Sequence, residues 1–230
     1  MAPAENQLIA LLPRRERVAL LAACETVHLE LGTVLCEAGE PTRHVYFPSS
    51  CSISLVSAIE GDLGLEVGMV GREGMLGAQL VLGVNTIPLH ALVQDGGTAR
   101  RFAAARFRRE LSRSKALQGV LNRYVYVLMA QLAISAACMR FHLVEPRLAR
   151  LLLMTQDRAH SDNFHLTHEF LARLLGVRRV GITGAACALQ RHGLIRYHRG
   201  DITVLDRAGL EAAACSCYAA DRRAYDATVR

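Results

Sequence analysis

No stretch of the sequence is long and apolar enough to read as a membrane span. The uncharged run Tyr124–Met139 holds 16 residues, Gln131 and Ser135 among them, against the ~20 that a bilayer core requires. The first twenty residues, MAPAENQLIALLPRRERVAL, lack the basic start and long apolar centre of a secretion signal. Cysteines are odd in number and scattered, at 24, 36, 51, 138, 187, 215 and 217, which excludes a small disulfide scaffold. Acidic residues are outnumbered, 21 against 27 basic ones, leaving a formal charge of +6. These absences predict a soluble cytoplasmic protein with no membrane partner, buried inert thiols and a lean towards polyanions. Catalytic patterns are missing too. No His-x-His pair occurs, and His28, His44 and His90 are widely separated, whereas a metal-dependent oxygenase of β-roll type needs histidines grouped with a carboxylate. No Ser/His/Asp or Cys/His order stands out, so no catalytic residue is nominated and an enzyme is disfavoured.

With hydrophobic residues at 51% and charged ones at 21%, the composition is that of a folded globular chain, and it divides into three textures. From about Val27 to Phe102, short alternating apolar segments (VHLEL, VYF, ISLVS, LEVGMV, HALVQ) are separated by turn signals such as EAGEP, EGDLG and VGREG. Val27, Leu29 and Leu31 fall on one face. This spacing predicts a closed antiparallel sandwich or roll, preceded by a short helix over Glu16–Cys24. The second texture is a helix from about Ser112 to Val144, with two apolar seams. One runs Leu121, Val125, Leu128, Leu132 and Met139, and the other Leu117, Val120, Tyr124, Val127, Ile134, Cys138 and Phe141. Two seams suit a helix that packs on its own domain and also meets a partner helix; a single buried core helix is the alternative.

The third texture starts near Pro146, read as a bend, and consists of short helices and one hairpin. LARLLGVRRVGIT, Leu171–Thr183, breaks a helix at Gly176 and places two arginines where the next begins. A helix-turn-helix demands this arrangement: a small residue at the crossing (Ala172), a left-handed turn residue (Gly176), and buried aliphatics (Leu171, Leu175, Val177, Ile182) at fixed offsets. Thr167 is a suitable N-cap. The second helix would then present its N-terminus to a major groove, where Arg178 and Arg179 can reach guanine or phosphate. The small Gly181 and Gly184 would let the backbone approach closely, and Val180 or Thr183 could meet a thymine methyl. LIRYHRGDITVLD alternates on both sides of Arg199-Gly200, a hairpin whose basic tip would rest on phosphates. A plain helical hairpin with a solvated basic edge is the alternative reading of the two helices.

A glycine-punctuated roll, a long helix and a winged helix-turn-helix, in that order, resemble the Crp/Fnr family of bacterial transcription regulators. The stretches carrying the likeness are LTHEFLARLLGVRRVGITGAACALQRHGLI, RGDITVLD and LCEAGEPTRHVYF, with DRAGLEAAACSCY similar to the family's closing helix. The resemblance implies an α+β fold in three parts: a cyclic-nucleotide-binding-like jelly-roll sensor with its N-terminal helix over 1–110, a dimerisation helix over 111–145, and the winged helix-turn-helix over 146–230. It also implies a homodimer on two-fold symmetric double-stranded DNA, with RNA polymerase as a further partner. The DNA-binding residues it suggests are Thr167, Arg178, Arg179, Val180, Gly181, Thr183 and Arg199. A ligand-binding adaptor that docks on protein is the other function in view.

Departures from the family pattern narrow the expectations. Of the recognition-helix pattern Arg-Glu-Thr-Val with a further arginine, only Arg179 matches; Val180, Gly181 and Gly184 replace the other polar positions, so the usual family operator is not expected. In the effector pocket the family's Gly-Glu pair corresponds to Gly74-Met75, and its Arg-Ser pair to Leu89-His90. Without the arginine a phosphate loses a charge-assisted hydrogen-bond pair, so cyclic AMP is not expected to bind and the effector is left unassigned. Cys24, Cys36 and Cys51 lie too far apart in sequence for the family's N-terminal iron–sulfur cluster. Cys215-x-Cys217 has one intervening residue and no companion pair or histidine nearby in sequence, so no metal site is assigned. Cys138 is the thiol singled out for a redox role.

Overall fold

The computed structural model describes residues 5–59, 62–159 and 161–229. It forms two compact units from interleaved parts of the chain. One takes the chain up to Leu55, Gly68–Met129 and the residues from Tyr225 onward; the other takes Val56–Val67 and Ala130–Ala224.

The first unit opens with helices α1 (Gln7–Ala10) and α2 (Arg14–Ala23). Asn6 caps α1 through its carbonyl oxygen and donates from Nδ2 to the carbonyls of Pro48 and Gly74 at 2.9 and 2.8 Å. That one buried amide satisfies three segments at once. The strands are β1 (Glu25–Leu29), β2 (Val34–Cys36), β3 (His44–Pro48), β4 (Ser52–Ile59), β5 (Asp62–Val70), β6 (His90–Asp95) and β7 (Gly97–Ala103), with a 3-10 turn over Ala78–Leu82 before β6; the parts of β4 and β5 within Val56–Val67 belong to the second unit. The strands make two antiparallel sheets, ordered β1-β7-β3 and β2-β6-β4-β5. This is the expected roll. Leu31 departs from the expected face: it lies past the end of β1, beside the left-handed Gly32, and is exposed. Core packing centres on Phe47, Phe102 and Phe107, with ring centroids 5.8–6.3 Å apart in tilted and edge-on pairs, the geometry aromatic quadrupoles favour.

The predicted helix over 112–144 is present, shorter by three residues at each end. Helix α3 (Ala104–Arg113) stops at Ser114, whose extended backbone and Oγ, accepting from the Leu117 N–H at 2.9 Å, start α4 (Lys115–Phe141). A serine here prefers capping to continuing a helix. Of the two seams, Leu117, Val120, Tyr124 and Val127 are buried in the first unit, joined by Leu121 from the other seam. Tyr126, Met129, Leu132 and Phe141 stay exposed. By length and composition α4 is apolar enough to cross a membrane, with a mean hydropathy of 1.4 in its most apolar window. The core helix of a soluble protein passes the same test, and the uncharged run between Arg123 and Arg140 stays shorter than a span.

In the second unit, α5 (Val144–Ala159) carries Pro146 in its first turn rather than at a bend. A proline there removes an N–H that has no helical partner anyway. Strand β8 (Asn163–His165), α6 (His168–Leu175), α7 (Arg179–Arg191), β9 (Ile195–His198) and β10 (Asp201–Val204) follow, the strands ordered β8-β10-β9. The expected closing helix is two helices, α8 (Arg207–Ala213) and α9 (Cys217–Val229), separated where Ala214 turns extended. Leu148, Leu152, Leu171, Ile182, Leu189 and Leu210 form the fully buried centre of this unit.

Candidate nucleic-acid interface

The interface is assembled from α6, the turn after it, α7 and the β9–β10 hairpin. Thr167 starts α6 as its N-cap, its Oγ1 accepting from the Phe170 N–H at 3.2 Å. Glu169 in the first turn pairs with Arg173 one turn later at 2.6 Å, an exposed pair of small energetic weight. The buried side of α6 is Leu171, Ala172, Leu174 and Leu175. Gly176 then takes the left-handed conformation, φ 60° and ψ 42°. The next N–H, of Val177, donates back to Ala172 O at 3.0 Å, which closes the helix in the manner of a glycine C-cap. Arg147, buried on α5, donates to Leu175 O at 2.5 Å and so satisfies another terminal carbonyl.

Helix α7 begins differently. Its N-cap is Arg178, extended at φ −71° and ψ 145°, with no side chain capping the first turn. The Gly181 N–H donates to Arg178 O at 2.8 Å, while the N–H groups of Arg179 and Val180 have no side-chain cap, at the end where the helix dipole is positive. The inner face of α7, Ile182, Ala185, Ala186, Ala188 and Leu189, is buried. The outer face exposes Arg179, Val180, Thr183, Gly184, Cys187 and Arg191. A side chain added at Gly184 would meet nothing, and one added at Gly181 only an ordinary contact from Val144 at 3.9 Å. Neither glycine is required by packing inside the chain.

The hairpin turns through Arg199 (φ 48°) and Gly200 (φ 97°), two consecutive positive-φ residues of the kind that match strand twist. Arg196, His198 and Arg199 are exposed. A Cβ added at Gly200 would also sit 2.6 Å from the His165 ring and displace that exposed side chain. Three contacts tie the hairpin and the two helices together. His168 stacks on Tyr197 with centroids 4.2 Å apart, its Nδ1 lies 3.1 Å from Thr183 Oγ1, and Gln190 Oε1 accepts from the Tyr197 N–H at 2.8 Å. Burial, and then the charge of Arg179, push the His168 pKa below its ordinary value.

Of the nominated residues, Arg178, Arg179, Val180 and Thr183 are exposed and Gly181 half-exposed on the first turns of α7. Thr167 is exposed at the start of α6 and Arg199 at the hairpin tip. The sequence reading passed over Cys187, Arg191 and His168. The first two repeat the exposed row of Val180 at offsets of seven and eleven, a spacing that could have identified them. His168 had no such signal, because its partners Thr183 and Tyr197 are distant in sequence.

The effector candidates sit in the first unit. Gly74 lies against the Tyr124 ring, so close that an added Cβ would be 2.2 Å from its hydroxyl oxygen. Met75 is 1% exposed within the core. Leu89 and His90 are half-buried, and His90 Nδ1 lies 2.5 Å from Glu37 Oε2. A separate pocket of about 90 Å³, lined by Cys36, Glu40, Thr42, Arg43 and Gln79 among others, contains none of the four. The thiols are not uniformly buried: Cys187 is exposed and Cys24 and Cys36 are half-buried. The expectation of seven buried thiols fails because α7 turns Cys187 outward.

Residues 146–213 match the Crp-like helix-turn-helix domain, so the second unit carries such a domain. No curated protein matches the chain. Among solved structures it is similar to a transcriptional regulator of the Crp/Fnr family from Eubacterium rectale, at 18% identity over 88% of this chain and 94% of that one, with a TM-score of 0.67. It is also similar to a CRP-family regulator from Thermus thermophilus, at 18% identity, 82% and 96% coverage and a TM-score of 0.65. The c-di-GMP-responsive global regulator CLP of Xanthomonas campestris matches at 18% identity, 84% and 100% coverage and a TM-score of 0.62. The shared fold is that of a β-roll followed by a helix-turn-helix.

Proposed function

We infer that the chain is a Crp/Fnr-type regulator, a homodimer that binds two-fold symmetric duplex DNA and controls transcription. The observation that carries this is the uncapped N-terminus of α7, flanked by Arg178 and Arg179 and presented by a left-handed turn at Gly176. Such an end suits the edges and phosphates of a major groove. Arg179 supplies base readout, with Val180 and the Thr183 methyl against thymine and Gly181 allowing close approach. Arg178, Thr167 at its helix start and Arg199 at the hairpin tip hold phosphates, which position without reading sequence.

Self-association uses α4. Val125, Met129, Leu132 and Ala136 follow at spacings of four, three and four and are exposed or half-exposed, an apolar row that suits a second copy of the helix. The first unit serves as the sensor, with Gly74, Met75, Leu89 and His90 as effector candidates. Glu37 beside His90 would repel a phosphate, which further disfavours cyclic AMP; the Cys24, Cys36 and Cys51 spacing still disfavours an iron–sulfur cluster. RNA polymerase is the second macromolecular partner, the setting is cytoplasmic, and the chain performs no catalysis of its own.

Selection of bound sequences from random duplex DNA tests the reading. It should return inverted half-sites about one helical turn apart. Arg179→Ala should relax preference at one position per half-site, while Arg199→Ala should weaken all sequences alike and flatten the salt dependence by about one charge. No retardation of any duplex at low salt would favour an adaptor instead, and sedimentation of single subunits with DNA present would remove the dimer.

A further inference from the structure

Four donor side chains converge in the second unit. Cys138 lies near the C-terminal end of α4, and His142 one turn later, its N–H still bonded to Cys138 O at 3.1 Å. Cys215 lies in the break between α8 and α9, its N–H donating to Pro146 O at 3.3 Å, and Cys217 is the first residue of α9. Cys138 Sγ is 3.5 Å from Cys215 Sγ, and Cys217 Sγ is 3.6 Å from His142 Nδ1. All four ligand atoms lie within 4.8 Å of one another. Among the described residues no other group of three or more such donors meets this criterion. The three cysteines are 1–7% exposed and His142 is half-buried.

We propose that Cys138, His142, Cys215 and Cys217 form a mononuclear tetrahedral zinc site. Zinc binds thiolate sulfur at about 2.3 Å and imidazole nitrogen at about 2.0–2.1 Å, so a tetrahedron places ligand atoms roughly 3.4–3.8 Å apart. The Cys138–Cys215 and Cys217–His142 separations already fall in that range, and no pair needs closing by more than about 1 Å. A multi-iron cluster would spread its ligands more widely, because they are divided among two or more irons. Three soft thiolates and an imidazole select zinc over the oxygen-seeking cations.

Charge and closure agree with this assignment. Three thiolates around Zn²⁺ leave one net negative charge; the largely buried Arg150 attracts Cys138 and Cys215, while Asp221, paired with it at 2.7 Å, repels Cys138. Cys217 also lies at the N-terminus of a 13-residue helix, where negative charge is favoured. Protons displaced from the thiols leave to solvent as the metal binds. Four protein ligands with buried sulfurs leave no open position, so the site is structural rather than catalytic. It clamps the end of α4 to the start of α9. A disulfide between Cys138 and Cys215 is the competing fate of these atoms, but it would leave Cys217 and His142 without a purpose.

The test is the metal content and cobalt spectrum of the full-length protein, purified reduced and without chelators. About one zinc per chain should survive gel filtration, and Co²⁺ exchanged into the site should give intense visible bands of tetrahedral cobalt with thiolate charge-transfer bands. His142→Ala and Cys217→Ser should each weaken Co²⁺ binding by more than the 10–100-fold that outer-shell partners command; the exposed Cys187→Ser should not change it. Wild-type protein that is metal-free and refuses Co²⁺ overturns the proposal, whatever the variants do. So does a weak octahedral cobalt spectrum, iron with inorganic sulfide, or peptide mapping that finds Cys138 bridged to Cys215. None of these outcomes depends on DNA binding.

Discussion

Replacing Gly176 by alanine isolates the turn on which the reading head depends. At φ 60° an L-residue is disfavoured by about 1–2 kcal/mol relative to glycine. The new Cβ would also lie 2.7 Å from Leu65 Cδ1, and moving that flexible side chain off its rotamer costs about 0.5–1.5 kcal/mol. Reduced freedom of the unfolded chain returns about 0.4–1 kcal/mol. Strain wins: the net destabilisation is about 2 kcal/mol, roughly thirtyfold in the folding equilibrium. Urea denaturation of the full chain would measure it, with hydrogen exchange at Val177, whose N–H closes α6, placing the loss in the second unit. In a Leu65→Ala background the steric part should vanish and about 1 kcal/mol remain. A Gly176→Ala protein as stable as wild type, or more stable, would mean that the unfolded-state effect dominates and the turn is not strained by a side chain.

Further expectations concern the same unit. Arg150 and Asp221 are both largely buried, and burial raises the Asp221 pKa more than its partner lowers it, so the pair is costly to desolvate. Asp221→Ala should destabilise by about 3–5 kcal/mol by stranding the arginine, while replacing both with apolar residues should cost far less; equal losses in thermal unfolding would refute this. Thr167→Ala removes the α6 cap and should cost about 1 kcal/mol, with Thr167→Ser restoring most of it in the same assay. His168 has a folded-state pKa below the ordinary 6.5. The unfolded chain therefore takes up this proton first as pH falls, and stability present above 6.5 is lost from there downward. The stability profile of His168→Gln should be flatter over that range, and an identical profile would show that the imidazole does not matter.

Much of the interface was legible because its rules are local. Thr167, Gly176 and the aliphatic offsets between them operate within two helical turns, where capping hydrogen bonds and the steric freedom of glycine decide the backbone. The hairpin at Arg199-Gly200 is equally local. Helix limits were less legible, because Ser114 and Ala214 choose between continuing and ending a helix according to what packs around them. The predicted 112–144 helix started three residues too early for that reason, and the burial of Leu121 with the other seam reflects the surface α4 meets rather than its own period.

From the sequence alone came the alternation of the roll, the left-handed turn and the two arginines that follow it, since each depends on neighbours a few residues away. Tertiary structure alone decided that Cys138 meets Cys215 across 77 residues, that Arg147 satisfies the end of α6, and that His168 joins α6, α7 and the hairpin. Such meetings depend on chain closure and packing over long separations, which spacing along the chain does not encode.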